Sequence, residues 1–314
     1  MRPHWLAFML GLTVATSGAA QTPSPGPVLA RPDPEEPDFF FLTGGPYTQA
    51  RRSYQVIHAT SYGVRRAHTG EGRLRDRELI LFFRTEYGIT DRWELDVITP
   101  SMFLRTELGG SQVASGGGYA DTVGGVRYRF LDESRAPLTL TMGPQLILPT
   151  GNAREGTGAG SRGFAWDVAA AKDWGGPLFL SSSVNYSLLF AVKDPTRGSR
   201  RDFRLHGLEW AVALVLRAFE PPPGKPPGEA DHDVHVFLEG AGSWLQGLTA
   251  GQTVGQRAGQ LAWQLAPGIR YGYVTPRKTL VEIGMSVPVG LGPNGSKWGL
   301  IVQFQFEQVL GSAQ

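Results

Sequence analysis

The sequence predicts an all-β fold, a transmembrane antiparallel up-and-down β-barrel of about twelve strands. Three observations predict it. Segments of about ten residues alternate apolar and polar side chains, which is the period of a β-strand. The connections between these segments alternate between short and long, as the two ends of a membrane barrel require. Aromatic residues gather at the ends of the segments, as they do at the two interfaces of a membrane.

Composition limits the other fold classes. The 314-residue chain contains 42 glycines, 11% aromatic residues and no cysteine. Many glycines suit many turns, and the absence of cysteine excludes disulfides and thiolate metal sites. No internal apolar run is long enough to form a membrane-spanning helix. The formal net charge of +2 is too small to indicate binding to nucleic acid.

Residues 1–20 predict a secretory signal peptide. Arg2 and His4 precede an apolar run, and small residues then lead to a cleavage site near Ala20. An uncleaved membrane anchor is the less favoured alternative, because the apolar run is short for a span. Export through the inner membrane therefore predicts a location in the cell envelope.

Residues 21–52 form a Pro-rich N-terminal segment in the periplasm, and the barrel is expected over 53–310. The Pro-rich and acidic start of this segment indicates an extended linker. Its run FFFLTGGPY, beginning at Phe39, could plug the lumen or cap the barrel, or it could simply pack against the first strand.

Period-two alternation places twelve strands along the chain. The predicted strands are 53–63, 77–88, 92–104, 121–131, 137–149, 164–173, 178–191, 204–219, 233–245, 261–274, 279–288 and 298–308. The short connections are 88–92, 131–137, 173–177 and 275–278, and the long ones are 65–76, 105–120, 152–163, 193–202 and 247–260. The connection 221–233 is long where a short one is expected, and its prolines predict a stiff protruding turn.

One face of the strands is apolar and is predicted to contact lipid. It includes Trp93, Leu95, Val97, Trp166, Val168, Leu208, Trp210, Val212, Leu214, Leu216, Trp263, Leu265, Ile269, Tyr271, Tyr273, Trp298, Leu300, Val302, Phe304 and Phe306. The opposite face is predicted to line the lumen. A soluble sheet sandwich, in which the apolar face would cover a core, is the alternative.

The lumen face collects charged residues near the predicted periplasmic turns. They are Arg84, Glu86, Glu94, Asp96, Arg127 and Arg129. Neighbouring strands place opposite charges across from each other, which predicts either a salt-bridged network that fills the barrel or a constriction that selects solutes. Further lumen-facing residues are Glu209, Arg217, Glu239, Arg270 and Glu282.

Histidines offer two candidate sites, and neither is favoured. Asp231, His232, Asp233 and His235 are spaced as metal ligands could be, but they follow the Pro-rich connection without a partner cluster, which predicts a solvated turn. No metal and no cofactor are therefore expected.

A membrane acyl hydrolase would need a serine and a histidine on one face. His58 and Ser61 fall on opposite faces of one strand, and His206 has no nearby serine, so an enzyme is not predicted.

Three stretches carry a family resemblance. They are YGITDRWEL at Tyr87 to Leu95, the strand from Tyr119 to Phe130, and LPTG at Leu148 to Gly151. The strand resembles the pattern G-D-x-x-x-G-x-x-Y-R-F from Asp121 onwards, with Ala120 in place of the first glycine. The chain resembles the outer-membrane family of "MetA-pathway of phenol degradation" transporters over about residues 53 to 308. The resemblance implies an outer-membrane barrel with a role in the passage of small, often hydrophobic or aromatic compounds.

The function expected is that of a channel or transporter for small solutes in the Gram-negative outer membrane. The expected partners are outer-membrane lipid and a small solute of unknown identity, and the barrel is expected to be monomeric. The alternative is a closed structural or adhesive barrel with a charge-filled lumen. A membrane-embedded acyl hydrolase is a less favoured third function.

Overall fold

The computed structural model describes residues 39–69, 72–192, 203–219, 231–246, 261–275, 279–292 and 298–309. Within these residues it contains strands and no helix. The strands are β1 Ser53–Thr69, β2 Gly72–Gly88, β3 Trp93–Leu108, β4 Ser111–Tyr119, β5 Thr122–Leu131, β6 Thr139–Leu148, β7 Gly163–Asp173, β8 Leu178–Val192, β9 Phe203–Phe219, β10 Asp231–Gln246, β11 Leu261–Val274, β12 Thr279–Ser286, β13 Val289–Gly290 and β14 Trp298–Val309. The predicted signal peptide and linker, the long connections 193–202 and 247–260, and most of the Pro-rich connection lie outside the described residues.

The strands close into a barrel. All neighbouring strands are antiparallel, and closure follows because β1 pairs with β14 and β10 pairs with β11. Two positions in the wall are each occupied by two consecutive strands, which we count as one strand path. β4 and β5 both pair with β3, and β12 and β13 both pair with β11. The barrel therefore has twelve strand paths, which confirms the predicted all-β, twelve-stranded antiparallel barrel and excludes the open sandwich.

Along most of each strand, side chains alternate between the outer surface and the lumen. The outward residues of β3, Trp93, Leu95 and Val97, are exposed, whereas Glu94 and Asp96 between them are buried. The same alternation runs along β9, β11 and β14, where the outward apolar residues have the parity predicted from the sequence. No helix of the described residues is long and apolar enough to cross a membrane.

The two ends of the barrel differ. We call the end with the connections 89–92, 132–138 and 174–177 the base, and the opposite end the rim. At the rim, the prediction of two long loops is wrong, because residues 65–76 and 105–120 are mostly strand. β1 and β2 continue to within two residues of each other, and β3 and β4 do the same.

Local chemistry explains these rim hairpins. Gly109 and Gly110 both have positive φ, at 60° and 95°, which is the conformation that a two-residue hairpin turn requires. In the β1–β2 hairpin Arg65 and Asp76 are paired directly across the strands, with Nη2 and Oδ2 2.8 Å apart. The hairpins are polar because they project past the apolar belt, so their sequence resembles that of loops.

A substitution on the outer side of β9 tests whether this face of the barrel contacts lipid. Val212 lies near the middle of β9 with 46% of its surface exposed. We expect Val212→Arg to lower the free energy of unfolding by about 2–4 kcal/mol in lipid vesicles, because a guanidinium would enter hydrocarbon near the midplane. Urea titration of the refolded protein measures it.

The matched control is Val113→Arg in the rim hairpin, where the side chain is 57% exposed and lies beyond the belt. We expect this substitution to change the free energy of unfolding by no more than about 0.5 kcal/mol. Equal effects at the two positions would mean that the outer surface of β9 does not contact lipid.

Candidate functional site

The N-terminal part of the described chain lies inside the barrel. We call residues 39–52 the lumen segment. Phe39, Phe40 and Phe41 precede the first strand, yet they are buried. Their rings pack with Phe179 of β8 and Phe237 of β10, with ring centroids 5.7 to 6.5 Å apart, and Phe39 and Phe41 pack with each other at 5.3 Å. An apolar cluster therefore occupies the lumen where a water-filled channel would be polar throughout.

Glu239 of β10 anchors this segment. Its Oε1 accepts the Phe41 backbone N–H at 2.8 Å, and its Oε2 accepts the backbone N–H groups of Leu42 and Thr43 at 2.9 and 2.7 Å. The Thr43 hydroxyl also donates to Oε2, at 2.8 Å. One buried carboxylate thus receives four hydrogen bonds from three consecutive residues. Such charge-assisted bonds are stronger than those between neutral groups.

From this anchor the lumen segment runs across the barrel towards the base. Gly44 N donates to Ser183 Oγ of β8 at 2.9 Å. The carbonyl of Gly45 accepts a hydrogen bond from Arg127 of β5, and the carbonyl of Pro46 accepts one from Thr141 of β6. The segment is therefore tied to several walls of the lumen rather than to the first strand alone.

At the base the segment meets the predicted charged residues. Gln49 N donates to Glu94 Oε2 at 2.7 Å, and Gln49 Nε2 donates to Glu86 Oε2 at 3.2 Å. The Thr48 hydroxyl donates to the carbonyl of Asp91 at 3.0 Å. The acidic side chains of the base therefore hold the segment as well as one another.

Five of the six predicted charged residues lie in one cluster, which we call the base network. Arg84 Nε and Nη2 each lie 2.9 Å from an oxygen of Asp96, and Nε is also 2.9 Å from Glu86 Oε1. Arg127 Nη1 lies 3.2 Å from Glu94 Oε1. The strand register explains this, because Glu86 is opposite Asp96 and Glu94 is opposite Arg127.

Asp167 of β7 also belongs to the base network and was not predicted. Its Oδ2 lies 3.4 Å from Arg127 Nε. Two guanidinium groups thus face four carboxylates, so the network is acidic in formal charge. The signal for Asp167 was available, because Asp167 shares the inward parity of Ala165 and Ala169 on β7.

The sixth residue, Arg129, lies apart from the base network. Its Nη1 is 3.7 Å from Asp132 in the turn between β5 and β6. Burial alone would raise the pKa of the Asp132 carboxyl, but hydrogen bonds from Ser134 and the charge of Arg129 lower it below its ordinary value. Asp132 is therefore ionised at neutral pH and attracts Arg129.

Around this pair the base has a polar cavity of about 380 Å³. Its wall contains Tyr47 and three acid–base pairs, Arg129 with Asp132, Lys172 with Glu133 and Arg217 with Asp173. Tyr47 belongs to the lumen segment and stacks on Phe179, with ring centroids 6.2 Å apart. The lumen segment therefore forms part of the wall of this basal cavity through Tyr47.

The further lumen residues have different surroundings. Arg217 borders the basal cavity, Glu239 anchors the lumen segment, and Glu209 faces the lumen in the rim half of β9. Arg270 of β11 contacts Glu282 of β12 on the wall opposite the base network. All five have inward parity on their strands.

The predicted solvated turn at residues 231–235 is wrong. These residues begin β10, and Asp233 and His235 are buried in the lumen wall. Arg270 contacts the Asp233 carboxylate, and its Nη2 is 2.8 Å from His235 Nδ1. Strand alternation continues through this sequence, so its polar side chains point inwards. The described residues contain no group of three or more His, Asp or Glu arranged to hold a metal ion.

Asp121 is not among the predicted functional residues, although it lies in the stretch Tyr119 to Phe130 that carries the family resemblance. Its Oδ1 accepts Gly151 N at 3.0 Å, and its Oδ2 accepts Ala159 N at 2.8 Å. Both donors belong to the rim connection 149–162, which begins with the LPTG stretch. Asp121, from the stretch Tyr119 to Phe130, therefore holds the rim connection that follows the LPTG stretch.

The two histidines considered for an acyl hydrolase lie on the outer surface. His58 packs against Phe83, with ring centroids 4.4 Å apart, whereas Ser61 has the opposite parity on β1. His206 Nδ1 is 2.7 Å from the Tyr186 hydroxyl. These contacts place neither histidine beside a serine nucleophile.

Comparison with known proteins adds information on the fold. No protein-family model matches the chain, and no curated protein matches it. Among solved structures, an outer-membrane channel from Pseudomonas putida F1 is similar, with a TM-score of 0.55 and 15% identity over 85% of this chain and 98% of that one. The β-domain of the Bordetella autotransporter BrkA has a TM-score of 0.48 and 10% identity over 82% of this chain and 99% of that one. At these identities the likeness concerns the fold.

Proposed function

We propose that this protein is an outer-membrane channel for small solutes whose axial path is closed by the lumen segment in the conformation described. One observation carries the proposal. The lumen contains a separate stretch of chain, held by hydrogen bonds and by the packing of Phe39 to Phe41, and that stretch could move without unfolding the wall. A barrel built only for structure has no need of such a segment.

The proposed location rests on the outer surface. An apolar belt surrounds the barrel, and exposed aromatic residues such as Trp93, Trp166, Trp263 and Trp298 lie within it. A surface of this kind is stable in lipid and would aggregate in water. The similar barrel from Pseudomonas putida F1 is described as an outer-membrane channel, and that description supports the same location and class here.

The solute is proposed to be small and uncharged or apolar. Phe39 and Phe41 fill the middle of the lumen with apolar rings, beside which a charged solute would lose its hydration without compensation. Small aromatic compounds, which the family resemblance implies, fit these surroundings.

A closed structural barrel is the second candidate. It is favoured by the burial of the base network, in which Glu94 and Arg127 are almost fully covered. Salt-bridged side chains that fill a lumen rigidify it and leave no path. The two candidates differ in whether any solute crosses.

Liposome swelling distinguishes them. Refolded mature protein would be placed in vesicles and exposed to sugars, amino acids and small phenolics of increasing size. We expect slow but measurable swelling with the smallest uncharged solutes and none with large sugars, because the lumen segment leaves its closed position only part of the time.

Heat-denatured protein in the same vesicles is the control for leakage. Absence of swelling with every solute, from protein shown to be folded by its heat-modifiable migration on gels, would favour the closed structural barrel.

A further inference from the structure

Two prolines interrupt the barrel wall at one level. Pro267 lies in β11, and Pro288 lies between β12 and β13 on the neighbouring strand path. Val287 N donates to the Pro267 carbonyl at 3.0 Å, but Pro267 has no N–H to return the bond. Gly299 N of β14 donates to the Pro288 carbonyl at 2.8 Å, and again no bond is returned. We call this part of the wall the proline seam.

The strand path formed by β12 and β13 therefore lacks one backbone hydrogen bond to β11 and one to β14. An antiparallel pair of this type normally exchanges two backbone bonds, so each proline halves the connection at its level. Pro100 in β3 and Pro144 in β6 also lie within strands, but their strands are not neighbours. Separation of the wall at the seam therefore breaks fewer hydrogen bonds than at a fully paired site.

Beside the seam, two glycines on the inner side of the wall leave the backbone uncovered by side chains of its own strands. Gly268 of β11 and Gly284 of β12 carry no side chain, and the Phe41 and Phe39 rings lie directly against their backbones. A Cβ on Gly268 would be 2.6 Å from Phe41, and one on Gly284 would be 2.8 Å from Phe39. The inner surface at the seam is thus aromatic.

The outer side of the seam is apolar as well. Leu265, Val287 and Val289 face outwards and are exposed. Ser286 Oγ donates to the Pro267 carbonyl at 2.9 Å, which adds one side-chain bond across the same strands. An apolar molecule would therefore meet apolar side chains both in the lumen and in the lipid, with a weakly connected wall between them.

We propose that the barrel opens laterally at the proline seam, and that small apolar solutes pass there between the lumen and the hydrocarbon core of the membrane. Phe41 and Phe39 lie against Gly268 and Gly284, on the base side of the two prolines, so a solute would reach the seam from the rim half of the lumen. The inference rests on the proposed channel function and gives the apolar solutes a separate exit.

Cysteine pairs test this proposal cleanly, because the chain contains no cysteine. Leu265 and Val289 are paired directly across the seam. Their Cα separation, about 5.5 Å or less for such a pair, suits a disulfide. The variant L265C/V289C would be expressed as the full chain in Gram-negative cells, and uptake of the apolar probe N-phenyl-1-naphthylamine would be followed by fluorescence.

We expect probe uptake above that of cells lacking the protein when the pair is reduced, and loss of this increment when it is oxidised. The control is L81C/S101C, a directly paired and outward-facing position across β2 and β3. Oxidation there should leave uptake unchanged. Labelling of free thiols measures how completely each disulfide has formed.

The variant P267V/P288V provides an independent test without a disulfide. Valine restores two backbone N–H groups to the ladder, so the seam should close, thermal stability should rise and probe uptake should fall. P144V, which changes a lone strand proline, should leave uptake unchanged.

Probe uptake that is insensitive both to oxidation of the seam pair and to the valine substitutions would overturn lateral passage. In that case swelling of liposomes with a small sugar would still support the axial channel. Loss of swelling with retained, seam-dependent uptake of the probe would instead overturn the axial channel.

Discussion

Arg127→Ala is expected to lower the free energy of unfolding by about 3–5 kcal/mol, because it leaves buried carboxylates without their counter-ion. Arg127 is 2% exposed and Glu94 is fully buried. The guanidinium also contacts Asp167 and the carbonyl of Gly45, so its loss removes contacts to two strands and to the lumen segment. Urea unfolding in lipid vesicles measures the change.

Arg129→Ala is the matched control, since it removes the same group from the same strand. Arg129 is partly exposed and lies 3.7 Å from Asp132 at the base. A pair of this kind contributes at most about 1 kcal/mol. Similar losses for the two variants would show that water reaches Arg127 and that the base network does not form a buried cluster.

The double variant Arg127→Ala with Glu94→Ala separates pairing from simple burial. Removal of both partners leaves one charge fewer unpaired than Arg127→Ala alone, so part of the stability should return. Recovery would be incomplete, because Asp167 would still lack its partner. This non-additivity is the signature of a direct interaction inside the barrel.

The strands and their faces could be predicted because a barrel wall obeys one local rule. Each strand alternates between lipid and lumen, so parity alone assigns Trp93 outwards and Glu94 inwards. Turn positions then fix which charged residues share a level. Arg127 could therefore be expected near Glu94 or Asp96, and the strand register places it opposite Glu94.

The lumen segment could not be placed by the same rule. Its run of three phenylalanines has no period, and its position is fixed by Glu239, which is 198 residues away from Phe41 in sequence. Only tertiary structure brings the two together. The sequence thus left open whether this run plugs the lumen, caps the barrel or packs against the first strand.

The predictions for the rim hairpins and residues 231–235 are wrong for a related reason. Both stretches are polar, and polar sequence usually indicates a loop or a turn. In a barrel, however, the lumen face and the hairpins beyond the membrane are polar as well, so hydrogen bonding between strands decides the structure. The pair Gly109–Gly110 was the local signal for the β3–β4 hairpin.

Glu239→Ala is expected to increase solute flux through the axial path. The Glu239 carboxylate receives four hydrogen bonds from residues 41–43, and it is the main polar anchor of that part of the lumen segment. If the anchor contributes roughly 3 kcal/mol, its loss raises the population of the released segment about a hundredfold. Liposome swelling with a small sugar measures the change.

The control for this variant is Glu209→Ala, which removes another lumen carboxylate. Glu209 lies in the rim half of β9, away from the described contacts of the lumen segment. We expect it to leave the swelling rate within about twofold of the wild type, because it does not touch the segment. The two variants carry the same change in charge, so a difference between them cannot come from the lumen field alone.

Equal swelling of the Glu239→Ala and Glu209→Ala proteins would contradict a lumen segment that leaves its closed position. The phenylalanine cluster would then hold the segment without help from the carboxylate, since apolar packing around Phe237 and Phe179 remains intact in both variants. A faster rate for Glu239→Ala alone would instead show that closure depends on the anchor. The contacts of Gly44 with Ser183 and of Gln49 with Glu94 do not involve Glu239, so loss of the anchor is expected to free residues 41–43 before the rest of the segment.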